Sequence, residues 1–320
     1  MNEKLQNNSI SASKNRLNSG IFRTFAAVIV NIDDMVREVC YQVAGHPFCI
    51  SAEEKTFTLM QNYAPFSTTA KENVTFSLHI VKGEITNFIE DIRQDDGEGQ
   101  VIISGHTEDG TPVFQFRWLR QTAGWFLCKK DYREARLCLT DHAPKLALDN
   151  ALMILFALAT ADKQTVLFHA AAVSYQGLAF LFLGESGTGK STHAALWLKH
   201  IGGTELMNDD NPVVRINAEG QAVVYGSPWS GKTPCYRNVS LPLGGIVLLS
   251  QAPCNKIERL SNLDAYAALV PSISGKRWDR QIADGLHLSE NHLVSHTPFW
   301  HLACLPDEAA AHLCSKTIAP

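Results

Sequence analysis

The stretch LAFLFLGESGTGKSTHAA, residues 178–195, constrains the fold more than any other part of the chain. Its first six residues, 178–183, are apolar and have the length and composition of a buried strand. They run directly into Gly184, Glu185, Ser186, Gly187, Thr188, Gly189, Lys190 and Ser191, a full match to the phosphate-loop pattern G-x-x-x-x-G-K-S/T. A helical pattern begins there and continues through Thr192. The three glycines let successive backbone N–H groups turn inward around a polyphosphate, which then sits at the positive end of the helix. Lys190 adds a charge near the β- and γ-phosphates, and the Ser191 hydroxyl is a ligand for Mg2+. ATP and Mg2+ are therefore the expected cofactors, held along 184–192. A glycine-rich turn that binds nothing would not require the four fixed positions or the strand-before, helix-after context.

With 320 residues, 45% of them hydrophobic, the chain can bury two cores or one large core with an appended unit. A formal charge of −4 gives no electrostatic case for nucleic acid or an anionic membrane as the main partner. Eight cysteines are scattered without a C-x-x-C pair, which argues against a zinc ribbon or a disulfide framework and for reduced thiols. The N-terminal MNEKLQNNSISASKNRLNSG lacks the apolar core of a secretory signal. No later stretch reads as a transmembrane helix, so a cytoplasmic location is expected.

Residues 1–20, rich in Asn and Ser, read as a disordered tail. Residues 21–140 carry short β-type runs at 22–32, 57–59, 74–81, 101–105, 113–119 and 125–129, with turn signals such as Asp95-Asp96-Gly97 between them. This segment is expected to be a β-rich accessory or substrate-recognition domain. The aromatic alternation of Phe114, Phe116 and Trp118 reads as core. From about 141 the texture becomes α/β and stays so to residue 320. A helix is expected within 141–162, a strand at 164–173, a tight turn at 174–177 and a strand-like run at 205–216. Further strands are expected at 222–225, 245–250 and 299–304, with helices at 261–270, around 281–288 and after Pro306-Asp307-Glu308.

Two further signals surround the loop. Asn208-Asp209-Asp210 closes an apolar run about twenty residues downstream, and phosphoryl chemistry needs such acids. One carboxylate can hold Mg2+ while the other accepts the proton of an attacking hydroxyl. The same residues are also good turn chemistry. His169 lies on the strand before the loop-bearing strand, and a short hairpin between the two would bring it near Gly184.

The order strand-His, short turn, strand, glycine loop, helix, strand, Asp-Asp resembles the nucleotide-binding core of HPr serine kinase/phosphorylase and ATP-dependent phosphoenolpyruvate carboxykinase. The resemblance spans residues 165–235. It implies an α/β, P-loop-containing mixed-sheet domain of the HPr kinase/carboxykinase type at 141–320, preceded by the β-rich domain. It also implies Lys190 and the loop amides on the phosphates, Ser191 on the metal and His169 beside them. Asp209 and Asp210 would divide metal binding and general-base duty, in an order the sequence leaves open. The chain is much shorter than a carboxykinase and lacks an arginine-rich segment like that family's Arg-Gly-Ser-Tyr-Pro. Kinases of this type often form rings or dimers, so a homo-oligomer is among the expected partners.

The loop 226–238, GSPWSGKTPCYRN, combines glycines and prolines with Lys232 and Arg237. It reads equally as a closing loop whose Lys232 supplies catalytic charge and as a solvated surface loop. His292, His296 and His301 read as surface residues rather than a metal site, because Pro298 interrupts their helix. Lys276-Arg277-Trp278-Asp279-Arg280 reads as a solvated helix end in preference to a docking point for an acidic partner segment or a phosphorylated product. The expected activity is ATP-dependent transfer of the γ-phosphoryl group to a hydroxyl, on a serine of a protein or peptide or on a small molecule. The alternatives are a carboxykinase-like lyase and a nucleotide-switched binding module without transfer activity.

Overall fold

The structure, a computed structural model, describes residues 36–85, 87–231 and 233–319. The expected tail at 1–20, the β-type run at 22–32 and Lys232 lie outside the described residues.

The first half forms a nine-stranded mixed sheet. Its strands are β1 (Val36–Val43), β2 (His46–Glu53), β3 (Ser67–Thr68), β4 (Phe76–Ile80), β5 (Ile89–Asp95), β6 (Gln100–His106), β7 (Pro112–Trp118), β8 (Gln121–Cys128) and β9 (Glu134–Leu139). Their spatial order is β3-β1-β2-β4-β9-β8-β7-β6-β5. From β5 to β9 the chain is a meander of antiparallel neighbours. The run at 57–59 is not a strand, because Glu54–Phe57 forms a single helical turn. The β1–β2 hairpin has no counterpart among the sequence-based runs. It places Cys40 opposite Cys49, and a disulfide joins them, contrary to the expectation of reduced thiols throughout.

The helix α1 (Pro144–Thr160) follows. It is apolar nearly all round, and Leu148, Leu152, Leu155 and Phe156 are fully buried. A helix of that pattern needs cover on both sides. Burial of each such side chain contributes about 1.5–3 kcal/mol. One side of α1 packs on β7, β8 and β9 and the other meets β10 (Thr165–Leu167) of a second sheet. A single hydrophobic core runs from Tyr41 through α1 to Phe299, so the boundary near residue 140 separates two sheets but not two cores. The stretch Pro144–Lys163 is long and apolar enough to cross a membrane by length and composition, which the sequence reading overlooked; most of it is buried inside the protein.

The second sheet contains β10, β11 (Ala171–Tyr175), β12 (Leu178–Leu183), β13 (Glu205–Asn208), β14 (Val213–Ile216), β15 (Ala222–Tyr225), β16 (Ser240–Gln251), β17 (Lys256–Arg259) and β18 (Phe299–Cys304). The order is β10-β14-β15-β16-β12-β11-β13, with β18 parallel to β16 and β17 antiparallel to β18. The continuous strand expected at 164–173 is two strands, β10 and β11, broken at residues 168–170. The run expected at 205–216 is likewise β13 and β14, broken at the aspartates. Along β12 the faces alternate: Ala179, Leu181 and Leu183 join the main core, while Phe180 and Phe182 join a second cluster. That cluster is closed by Trp197 of α2 (Lys190–His200) and by Cys314 and Ile318 of α5 (Glu308–Ile318). Two further α-helices among the described residues are α3 (Asn262–Leu269) and α4 (Arg280–His296).

The basic cluster at 276–280 is a solvated helix end only in part: Arg280 opens α4 exposed and Trp278 is exposed, but Arg277 is not a free surface charge. Arg277 donates to Glu290, a fully buried carboxylate, at 2.6 Å and to the Val270 carbonyl at 2.8 Å. Asp279 caps α4 by accepting from the Gln281 N–H.

Candidate functional site

Strand register brings the site together. In the antiparallel pair β11–β12, Ala171 faces Phe182, and in β11–β13, Ala172 faces Asn208. The residues just beyond those partners share one end of the sheet: His169 and Ala170 before β11, Gly184 after β12, Asp209 and Asp210 after β13. A register irregularity between Ala172 and Val173 lies next to this end. The strands β12, β16 and β18 run parallel, and the C-terminal end of such strands is the usual side for ligands in α/β sheets.

The loop 184–191 leaves β12 and opens α2. Gly187 and Gly189 have φ of +79° and +109°, the left-handed region that favours glycine. A Cβ at Gly187 would meet nothing within 4 Å, so the loop faces open space there. The backbone N–H groups of Gly187, Gly189, Ser191 and Thr192 have no acceptor among the described residues. These amides lie at the positive end of α2, a donor set suited to an anion. Lys190 spans the loop, its Nζ donating to the carbonyls of Gly184 at 2.9 Å and Glu185 at 3.2 Å. Burial pulls its pKa below the ordinary lysine value, and the Asp210 carboxylate opposes that shift. The Ser191 and Thr192 side chains are exposed.

Asn208 forms the turn that presents the two acids. Its Oδ1 accepts from the N–H groups of Asp210 at 2.9 Å and Asn211 at 2.7 Å, while its Nδ2 donates to the Trp229 carbonyl at 3.1 Å. Asp209 is buried, and its Oδ2 accepts from the Thr233 N–H at 3.2 Å. Asp210 is partly exposed: its Oδ1 lies 2.9 Å from His169 Nδ1, and its Oδ2 accepts from Asn211 Nδ2 at 2.6 Å. The backbone on both sides of His169 is pinned, by His169 N–H to the Ser272 carbonyl at 2.7 Å and Ala170 N–H to the Asp210 carbonyl at 2.9 Å.

The loop residues on either side of Lys232 pack against the acids: a Cβ at Gly231 would lie 3.1 Å from Asp210 Cβ. Arg237, the other cation of that loop, is committed elsewhere: it donates to the Leu206 carbonyl at 2.8 Å and to Glu205 at 2.7 Å. Ser227 and Trp229 hold the loop, with Ser227 Oγ donating to the Asn211 carbonyl at 2.6 Å. These two residues escaped the sequence reading, as did Gln251 at the end of β16. Gln251 Nε2 donates to the carbonyls of Gly187 at 3.3 Å and Thr188 at 3.5 Å. Its only sequence signal is its place at the C-terminal end of an apolar run.

The three histidines set aside as metal ligands stay apart from the site. His292 Nε2 contacts the Gly220 carbonyl at 2.8 Å and its ring stacks on His296 at 4.2 Å, while His301 Nε2 contacts Ser250 Oγ at 2.7 Å.

Residues 138–295, just under half of the chain, match the family model described as ScmC, SynChlorMet cassette protein ScmC. The matched span includes every candidate site residue from His169 to Lys232. No curated protein matches the chain.

Proposed function

We propose that this chain is an ATP- and Mg2+-dependent phosphotransferase that moves the γ-phosphoryl group to a hydroxyl acceptor on a protein, peptide or small molecule. The observation that carries this reading is the convergence of an amide-rich glycine loop, its lysine, a histidine and two carboxylates at one end of the second sheet. The unpartnered amides and Lys190 suit the phosphates of ATP. The Ser191 hydroxyl, with a carboxylate of the Asp209–Asp210 pair, suits Mg2+, which when bound neutralises charge on the phosphoryl oxygens.

In this reading one carboxylate of the pair takes the proton of the acceptor hydroxyl. The acceptor oxygen forms a bond to the γ-phosphorus, the bond from that phosphorus to the bridging oxygen breaks, and ADP leaves with the electron pair. His169, held against Asp210, keeps the imidazole beside the transferred group. Lys190 stabilises the charge spread over the phosphoryl oxygens.

The test is incubation of the purified chain with γ-labelled ATP, Mg2+ and lysate from its own cell. Label is expected on a protein, peptide or metabolite, and its loss is expected with Asp209→Asn or Asp210→Asn. ATP binding with no labelled product under any condition would leave only a nucleotide-binding protein.

A further inference from the structure

A cavity of about 150 Å³, apart from the candidate site, lies between β5–β7 of the first sheet, α1 and the segment 274–278. Its wall is mostly apolar, with Ile102 and Phe114 from the sheet and Met153 and Ala157 from α1. A dry apolar cavity of that size accepts a body about as large as benzene. Four polar side chains interrupt the wall, Gln94, Ser104, Ser274 and Lys276, and two of them lack hydrogen-bond partners among the described residues. Ser104 is buried, and its hydroxyl has no hydrogen-bond partner. Lys276 is the second: its side chain is only 11% exposed.

The Lys276 ammonium has three donors and, among the described residues, no hydrogen-bond acceptor. Among the described residues its nearest carboxylate oxygen, Asp91 Oδ2, is 3.9 Å away, and the Trp278 ring centroid lies at 5.6 Å. The other oxygen of Asp91 is taken by His106 Nδ1 at 2.8 Å. A largely buried ammonium that lacks acceptors is costly, and a carboxylate supplied from outside would satisfy it.

We propose that this cavity binds a compact apolar group carrying a carboxylate, from a free acid or the C-terminal residue of a peptide. The apolar body fills the space against Phe114 and Met153, and the carboxylate accepts from Lys276. Leu167 also lines the cavity, two residues before His169, so the pocket adjoins the strand that leads to the candidate site. The inference does not depend on phosphoryl transfer.

The test is calorimetric titration of the full chain with phenylacetate, benzyl alcohol and the dipeptide Gly-Phe. An acid is expected to bind more tightly than the alcohol, and whichever acid binds more tightly identifies the source. Lys276→Gln is expected to weaken the acid by about tenfold or more while leaving the alcohol within about twofold. Ala157→Phe, which fills the cavity from α1, is expected to abolish binding of all three. The proposal is overturned if neither acid binds the native chain, if the alcohol binds as tightly as the acids, or if acid binding survives Ala157→Phe. Binding to a chain that shows no labelled product with ATP would separate the two proposals.

Discussion

The Trp229 indole N–H donates to the Tyr63 hydroxyl at 2.9 Å, joining a loop beneath the two aspartates to the first half of the chain across 166 residues. Tyr63 in turn contacts Asp149 Oδ1 of α1 at 3.1 Å, and Asn62 Nδ2 donates to the Pro228 carbonyl at 2.9 Å. Burial, more than any neighbour, raises the Asp149 pKa, with Lys145 opposing it. The first sheet's segment therefore fixes the loop that supports Asn208 and Asp209.

Tyr63→Phe removes the acceptor of a buried indole N–H. It is expected to cost about 1–3 kcal/mol of stability, the range for an unsatisfied buried donor. Urea denaturation of the variant checks this. Turnover should fall as well, since the aspartate turn leans on Trp229.

Lys190→Ala should lower the rate of phosphoryl transfer by about 10²–10³-fold or more, the loss seen when a charge-stabilising donor is removed. Because the Lys190 ammonium also ties Gly184 to Glu185, nucleotide affinity should drop with it. Single-turnover transfer and an equilibrium nucleotide titration measure the two effects separately.

Asp209→Asn and Asp210→Asn should retain ATP binding and abolish labelled product. Retention of partner binding and biological effect by these variants, without transfer, would favour the switch reading instead. His169→Ala is expected to reduce transfer while leaving the Asp209 environment unchanged, because the polar contact its side chain makes is to Asp210.

His46 makes a pH prediction. It is buried against Thr165, and burial, with Arg215 and Lys163 adding to it, lowers its pKa from 6.5 to about 3. Between those values the unfolded chain binds the proton and the folded chain does not, so stability rises with pH across this window. The contribution is complete above about pH 6.5 and is lost as pH falls toward 3, at up to about 1.4 kcal/mol per unit. His46→Gln should flatten that part of the stability–pH curve, measured by urea melts at several pH values.

A thiol titration under denaturing conditions without reductant should find the six cysteines outside the Cys40–Cys49 pair. Prior reduction should raise the count to the eight in the sequence. Eight without reduction would mean the pair does not form.

The elements legible in the sequence are those whose signals are local. The strand 178–183 and the helix after it are punctuated by three glycines, α1 carries helical spacing, and α5 begins with its own cap at Asp307. Elements whose identity depends on distant partners were not legible. β5 is exposed along its whole length and so lacks the alternation that marks a strand. The break between β10 and β11 follows from the pairing of Phe168 with Ile273 and of His169 with Ser272, contacts made across about a hundred residues. Arg277 looks like a surface charge until Glu290 is placed opposite it. At the candidate site, the loop and the Asp-Asp pair are short linear motifs and could be read directly. Gln251, Ser227 and Trp229 reach the site only through sheet register and loop packing.

Because α1 is walled by one sheet on each side, neither half of the chain owns it. Cutting near residue 140 would strip one flank of a hydrocarbon rod and leave it to water, so a fragment starting there should be sticky and poorly behaved. Heat should take both halves apart together, as a single calorimetric peak.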